Sequence, residues 1–176
     1  ACIDREIEYL TVFAFSSENW KRPSDEVSGL MGLVLAAVSR YLARMGAMGV
    51  RIRIVGDREA VSDKLRAAWA EAETSTAHNS KLTLNVAFNY GGRWDIVQAC
   101  RKAIEAGVPA HELTEAKLSQ FMAMSYAPDP DLFIRTGGEL RISNFMLWQT
   151  GIPLRVLADL AQRGFAEGVA ALAVAH

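Results

Sequence analysis

The chain has 176 residues, a net charge of −1 and an apolar fraction of 51%, a profile that fits one globular domain with a sizeable core and excludes a disordered chain. No basic stripe is present, which excludes the usual nucleic-acid binders and means that any anion must be held by local arginines. Cys2 and Cys100 lie far apart and form neither a disulfide framework nor a metal-ligand spacing, so we expect a reducing, cytosolic compartment.

Strand-like and helix-like segments alternate along the chain. Strands are predicted at 9–15, 51–55, 81–88 and 131–135. Helices are predicted from the N-cap Ser24 onward and at 59–77, 94–105, 114–124 and 143–149. This alternation predicts an α/β fold with a mostly parallel central sheet and helices on both faces. We expect one domain over 1–150 and a separate tail over 151–176, whose Leu157, Leu160, Ala161 and Phe165 have the spacing of an amphipathic helix.

Polar and glycine-rich residues follow each predicted strand. They occupy 16–22, 56–57, 89–93 and 135–143. In open α/β sheets, ligands bind in the crevice beyond the carboxyl ends of the strands. We therefore expect all four segments to meet at one site.

The segment 135–143 has the residues of an anion site. Arg135 and Arg141 flank a Gly-Gly pair, and Ser143 follows. Guanidinium groups match phosphate oxygens, and glycines allow backbone N–H groups to approach an anion closely. A diphosphate site is one interpretation. The alternative is a glycine turn with surface salt bridges from Glu139.

Three other segments each allow two interpretations. The loop 16–23 (SSENWKRP) suits a substrate site, or an asparagine turn in which Trp20 packs on the next helix. The segment 89–95 (NYGGRWD) suits a binding turn, or a structural turn with Trp94 in the core and Asp95 in the first helical turn. The apolar wall that includes Met31 and Leu82 is either plain core or part of a channel for a lipid chain.

Three blocks, TVFAFSSENWKRP, LTLNVAFNYGGRWDIVQA and DLFIRTGGELRISNFMLWQ, closely resemble the undecaprenyl diphosphate synthases, which are cis-prenyltransferases. The resemblance extends over about 7–149. It implies an isoprenyl transferase that condenses isopentenyl diphosphate onto an allylic diphosphate, farnesyl diphosphate, with cis double bonds. It also implies a polyprenyl diphosphate product that serves as a cell-wall lipid carrier, Mg²⁺ as cofactor, a cytoplasmic homodimer, and peripheral membrane contact.

The resemblance also assigns roles to individual residues. Asn19 and Trp20 match positions that support catalysis. The matching substrate-binding positions are Ser16, Arg22, Arg135, Glu139, Arg141 and Ser143, and Met31 and Leu82 match the wall of the product tunnel.

Two departures from the family bear on activity. The family's leading Asp-Gly-Asn-Gly-like loop, which binds magnesium, does not occur in the sequence, and the tail does not resemble the family's glutamate-containing segment. We therefore expect a partial domain, truncated at the N-terminus and divergent after residue 149, in which the expected metal ligands are absent. A reading-frame shift or a fused end would explain the tail. The chain as written is predicted to be inactive. The alternative is a non-catalytic partner subunit of a cis-prenyltransferase dimer.

Overall fold

The computed structural model describes residues 2–135, 142–150, 155–158 and 172–175. Its strands are β1 (Tyr9–Ser16), β2 (Val50–Val55), β3 (Leu82–Tyr90), β4 (Leu132–Arg135), β5 (Arg155–Ala158) and β6 (Leu172–Ala175). They form one sheet in the order β2-β3-β1-β6-β4-β5. Only β6 is antiparallel to its neighbours within this described sheet. The predicted mostly parallel sheet is confirmed.

The described helices are α1 (Ser24–Ala47), α2 (Asp63–Thr76), α3 (Gly92–Glu105) and α4 (Glu115–Ser119). Short 3-10 segments occur at Ile3–Arg5, Ser17–Lys21 and Ala110–Glu112. Two helix starts differ from the sequence prediction. Ser24 is the first helical residue, and Pro23 is the N-cap. The second helix starts at Asp63, not at 59, because the Ser62 hydroxyl caps it by accepting from the Leu65 N–H.

Helices cover both faces of the sheet, as predicted. On one face, α1 and α2 enclose a core that contains Leu65, Trp69, Ile52, Ile54 and Phe88. The opposite core contains Phe13, Ala87, Tyr90, Phe133 and Phe145, and Trp94 of α3 packs against it. A smaller cluster joins Ala99 of α3 to Leu118 and Met122 in and after α4.

Two strands switch the face that their side chains occupy just before they end. Alternate residues of a strand normally share a face, yet Phe13 and Phe15 lie in opposite cores, as do Phe88 and Tyr90. The register of β1 shifts between Phe13 and Phe15, and Asn89 has a left-handed φ of 50°. These irregularities turn the strand ends and direct the loops that follow.

The C-terminal part differs most from the prediction. The predicted helix over 143–149 is a series of turns, because Ser143, Asn144 and Met146 have positive φ values of 52°, 59° and 49°, which a right-handed helix does not accommodate. In the tail, the described residues form the strands β5 and β6. Leu157 lies in β5, whereas the other three residues of the predicted apolar face lie outside the described residues. No helix in the described ranges is both long and apolar enough to span a bilayer.

Candidate functional site

Asn89 joins three of the loops beyond the carboxyl ends of the strands. Its Oδ1 accepts a 2.7 Å hydrogen bond from the Trp20 indole N–H in the loop after β1. Its Nδ2 donates to the Asp57 carbonyl after β2 at 2.8 Å, and the Asp57 N–H donates back to the Asn89 carbonyl. The predicted convergence of these loops is therefore present in the fold.

The loop after β1 is organised by its own side chains. The Ser16 hydroxyl accepts from the Glu18 N–H at 3.2 Å, and Asn19 Oδ1 accepts from the Ser16 N–H at 2.7 Å. Trp20 is 38% exposed and contacts the Phe15 ring edge-on, with 5.1 Å between centroids. The contact with Phe15 and the hydrogen bond to Asn89 hold the exposed indole in place. Ser16 and Asn19, to which the resemblance assigns roles at the site, each use one side-chain oxygen to accept a backbone N–H of this loop.

Arg22, at the end of the same loop, is directed elsewhere. Its guanidinium forms a 3.7 Å ion pair with Glu26, and both side chains are more than half exposed. An exposed pair of this kind stabilises little. Arg22 is thus available to a ligand at small cost, and its predicted substrate role stays a prediction.

Arg135 and Ser143 are brought together after β4. Arg135 is the last residue of the strand, and its Nη1 donates to Ser143 Oγ at 2.7 Å. Ser143 has a left-handed φ of 52°. The segment between them, with Glu139 and Arg141, lies outside the described residues. Two of the predicted diphosphate ligands therefore form one polar group at the carboxyl end of β4.

The sequence analysis missed Asn144, which links this group to the other loops. Its Nδ2 donates to Glu18 Oε1 at 3.2 Å, and its Oδ1 accepts from the Arg93 N–H at 3.0 Å. Its carbonyl accepts from the Gly92 N–H at 2.7 Å. The available sequence signal was weak: asparagine is the non-glycine residue that most readily adopts a left-handed φ.

Asp95 has a structural position, in agreement with the second of the two interpretations of its segment. It is fully buried, where its two oxygens accept from the Tyr90 hydroxyl and the Ala123 N–H, each at 2.8 Å. Burial, and then the Asp95 carboxylate, raise the pKa of Tyr90 far above its ordinary value. The phenol stays protonated and holds the turn after β3 against the segment after α4.

A separate apolar cavity of about 290 Å³ lies between β1–β3 and the C-terminal half of α1. Leu82 lines it together with Leu10, Leu84, Met45 and Val50. Met31 does not line this cavity, although it packs against the same core. The two residues assigned to the tunnel wall thus share a core but not the cavity.

Magnesium usually binds through one or two protein carboxylates together with water and phosphate oxygens. Within the described ranges, no group of three His, Cys, Asp or Glu side chains could hold a metal ion. Both oxygens of Asp95 are already occupied by hydrogen-bond donors.

The model of a prenyltransferase family described as undecaprenyl diphosphate synthase matches residues 1–159. The chain belongs to this family. It is 48% identical to an isoprenyl transferase of Neisseria gonorrhoeae over 174 residues, which is 99% of the chain and 69% of that protein. It is 52% identical to an isoprenyl transferase of Ralstonia nicotianae over 82% of the chain and 57% of that protein.

Solved structures of the family have the same fold. A probable undecaprenyl diphosphate synthase from Campylobacter jejuni matches with a TM-score of 0.83 and 34% identity, over 90% of the chain and 76% of that protein. Lavandulyl diphosphate synthase from Lavandula x intermedia, in complex with dimethylallyl diphosphate, matches with a TM-score of 0.78 and 30% identity, over 85% of the chain and 67% of that protein. The family and the α/β fold expected from the three sequence blocks are both confirmed.

The matches cover only part of each relative's length. The chain spans 57% of the Ralstonia relative and 69% of the Neisseria gonorrhoeae relative. The alignment with the latter covers 99% of the chain, so it extends past Gln149. The alignment with the Ralstonia relative covers 147 residues, and the divergence expected after residue 149 stays a prediction.

Proposed function

We propose that this chain binds isopentenyl diphosphate beyond the carboxyl ends of β1, β3 and β4, as part of a cis-prenyltransferase that extends an allylic diphosphate. The observation that carries the proposal is the 2.7 Å hydrogen bond between Arg135 Nη1 and Ser143 Oγ. It places a guanidinium and a hydroxyl side by side at the end of a parallel strand, where ligands of open sheets bind.

Phosphate chemistry suits this pair of side chains. A guanidinium donates two parallel hydrogen bonds to phosphate oxygens, and these charge-assisted bonds are stronger than neutral ones. Ser143 supplies a hydroxyl that can rotate from its present bond toward a ligand oxygen. The chain has a net charge of only −1, so it does not attract anions as a whole. A diphosphate must therefore be held by local side chains. Arg141 and Glu139 are proposed to complete it on the basis of the sequence alone.

The proposed allylic partner is farnesyl diphosphate. A Legionella pneumophila relative, 47% identical over 84% of the chain, is named a ditrans,polycis-undecaprenyl-diphosphate synthase specific for (2E,6E)-farnesyl diphosphate. We place the allylic substrate beside Trp20, because the hydrogen bond to Asn89 and the contact with Phe15 hold this exposed indole in a fixed position. Asn19 acts there by fixing the loop backbone, and Ser16 by capping it.

The remaining expectations from the family stay predictions. Mg²⁺ is one of them; if bound, it would supply positive charge to stabilise the departing diphosphate. The other predictions from the family are a homodimer, a cytoplasmic location, contact with the membrane and a cell-wall role for the product. The inactivity of this chain and its alternative role as a non-catalytic subunit are also predictions. Measuring the rate of an intact family member with and without co-expressed chain separates these two.

Calorimetric titration with isopentenyl diphosphate tests the proposal directly, because binding does not require turnover. Arg135→Ala removes charge-assisted bonds worth about 1.5–3 kcal/mol, so we expect the Kd to rise roughly 10- to 100-fold. Ser143→Ala should raise it by a smaller factor. The control is Arg66→Ala, which removes an equally charged side chain that pairs with Asp63 on α2.

Ligand controls identify the part of the substrate that is recognised. Inorganic diphosphate should compete with isopentenyl diphosphate, and isopentenol should not. A wild-type chain that binds no isopentenyl diphosphate contradicts the proposal, as does an Arg135→Ala variant that binds as tightly as the Arg66→Ala control.

A further inference from the structure

We propose that Asn144 is a positioning residue that couples the loop carrying Trp20 to the Arg135–Ser143 group and thereby sets the affinity for the diphosphate. The inference rests on the proposed function, since it concerns the same site. It is carried by an independent observation, namely the three hydrogen bonds that one asparagine makes to segments far away in the sequence.

The side-chain amide of Asn144 uses both of its ends. Nδ2 donates to Glu18 Oε1 in the loop after β1, and Oδ1 accepts from the Arg93 N–H at the start of α3. Asparagine supplies a donor and an acceptor on one rigid group. An aspartate would lose the donor and place a second carboxylate against Glu18, and an alanine would lose both bonds.

The backbone of the same residue reinforces the contact. The Asn144 carbonyl accepts from the Gly92 N–H at 2.7 Å, and its φ of 59° turns the chain toward the β3 loop. A Cβ on Gly91 would lie 2.8 Å from Asn144 Nδ2 and 2.7 Å from Ser17 Oγ. The close approach of these three segments therefore depends on the missing side chain at position 91.

Asn144 directly follows Ser143, which accepts the hydrogen bond from Arg135. Any shift of Asn144 is transmitted through one peptide unit to the Ser143 hydroxyl. The other end of the chain of contacts reaches Glu18, two residues before Trp20. Among the described residues, the side-chain hydrogen bonds of Asn144 go to Glu18 and Arg93 and to no group assigned to substrate. Its effect is to fix the distance between the two halves of the site, which matters because misplacement by about 1 Å is costly for bound geometry.

A double-mutant cycle on Asn144 and Glu18 tests this coupling. Asn144→Asp opposes two carboxylates and should raise the Kd for isopentenyl diphosphate about tenfold. Glu18→Gln keeps an oxygen acceptor for the Asn144 amide and should cause a smaller loss. In the double variant the new amide at position 18 donates to the new carboxylate at position 144, which still accepts from the Arg93 N–H. We expect the double variant to recover to within about twofold of wild type.

The cycle separates positioning from a general structural role. Recovery of affinity in the double variant is expected from positioning and not from a nonspecific loss of stability, because two destabilising changes that act independently add up. If Asn144→Asp does not fold, Glu18→Ala removes the same hydrogen bond from an exposed side chain and should raise the Kd severalfold at an unchanged thermal midpoint.

The outcomes also separate this inference from the proposed function. A wild-type chain that fails to bind isopentenyl diphosphate contradicts the proposed function. A wild-type chain that binds it, with Asn144→Asp and Glu18→Ala binding equally well, overturns the positioning role alone. A double variant that binds no better than Asn144→Asp also overturns it.

Discussion

Replacing Asp95 with alanine is expected to destabilise the chain by about 2–6 kcal/mol, whereas replacing it with asparagine should cost about half as much, roughly 1–3 kcal/mol. The difference follows from its two hydrogen bonds. Asp95 is fully buried and accepts from the Tyr90 hydroxyl and the Ala123 N–H at 2.8 Å. Alanine leaves two buried donors without an acceptor, at about 1–3 kcal/mol each.

Asparagine at position 95 can satisfy only one of the two donors. Its amide oxygen can accept from the Ala123 N–H, but its amide nitrogen is itself a donor, so the Tyr90 O–H loses its acceptor. One buried donor without an acceptor sets the smaller cost of about 1–3 kcal/mol.

Urea unfolding followed by circular dichroism measures both variants, and an unchanged slope with denaturant confirms that the same transition is compared. Tyr90→Phe removes one donor and leaves one carboxylate oxygen without its partner, so its cost should be below that of the alanine variant, which loses both hydrogen bonds. Equal costs for the alanine and asparagine variants, or a cost below about 1 kcal/mol for alanine, would refute the hydrogen-bond argument.

Three further predictions concern pH and backbone geometry. Burial raises the pKa of Tyr90 in the folded chain, whereas an unfolded tyrosine titrates near about 10. The contribution of Tyr90 to the free energy of unfolding is therefore fully present below that pH and falls above it by about 1.4 kcal/mol per pH unit. Tyr90→Phe should reduce this slope in urea titrations at pH 9–12. A Cβ on Gly92 would lie 2.6 Å from Leu147, so Gly92→Ala should lower the free energy of unfolding by about 1–3 kcal/mol, whereas the control Gly29→Ala, where a Cβ meets nothing within 4 Å, should raise it by about 0.5–1 kcal/mol. Asn89→Ala and Asn89→Gly delete the same hydrogen bonds, but alanine resists the φ of 50°, so its thermal midpoint should be lower by the equivalent of about 1–2 kcal/mol.

The sequence predicted β1 and β2 well because their signal is local. The strand predicted over 9–15 is β1, which extends one residue further, to Ser16. The strand predicted over 51–55 is β2, which begins one residue earlier, at Val50. Helix starts were predicted less well, since they depend on single hydrogen bonds. The Glu59 N–H donates to Asp57 Oδ1 at 2.9 Å, which forms a turn at the point where the helix was expected to begin.

The candidate site was predicted only in part, for a related reason. That polar segments would gather beyond the strand ends followed from topology, and the hydrogen bonds that join Asn89 to Trp20 and to Asp57 agree with it. The role of Asn144 did not follow, because its partner Glu18 is 126 residues away. The prediction of a helix over 143–149 was also incompatible with this role of Asn144. A helical Asn144 could not have the φ of 59° that directs its amide toward the loop after β1.

Asn89 and Asn144 show why the loops of this site require asparagine and not glycine. Both have left-handed φ values, which glycine adopts with less strain. Glycine, however, would remove the amides that reach Trp20 and Asp57 from position 89, and Glu18 and Arg93 from position 144. Asparagine tolerates the same backbone and adds a donor and an acceptor. The identity of these two residues is therefore set by the loops that they join and not by the turns in which they lie.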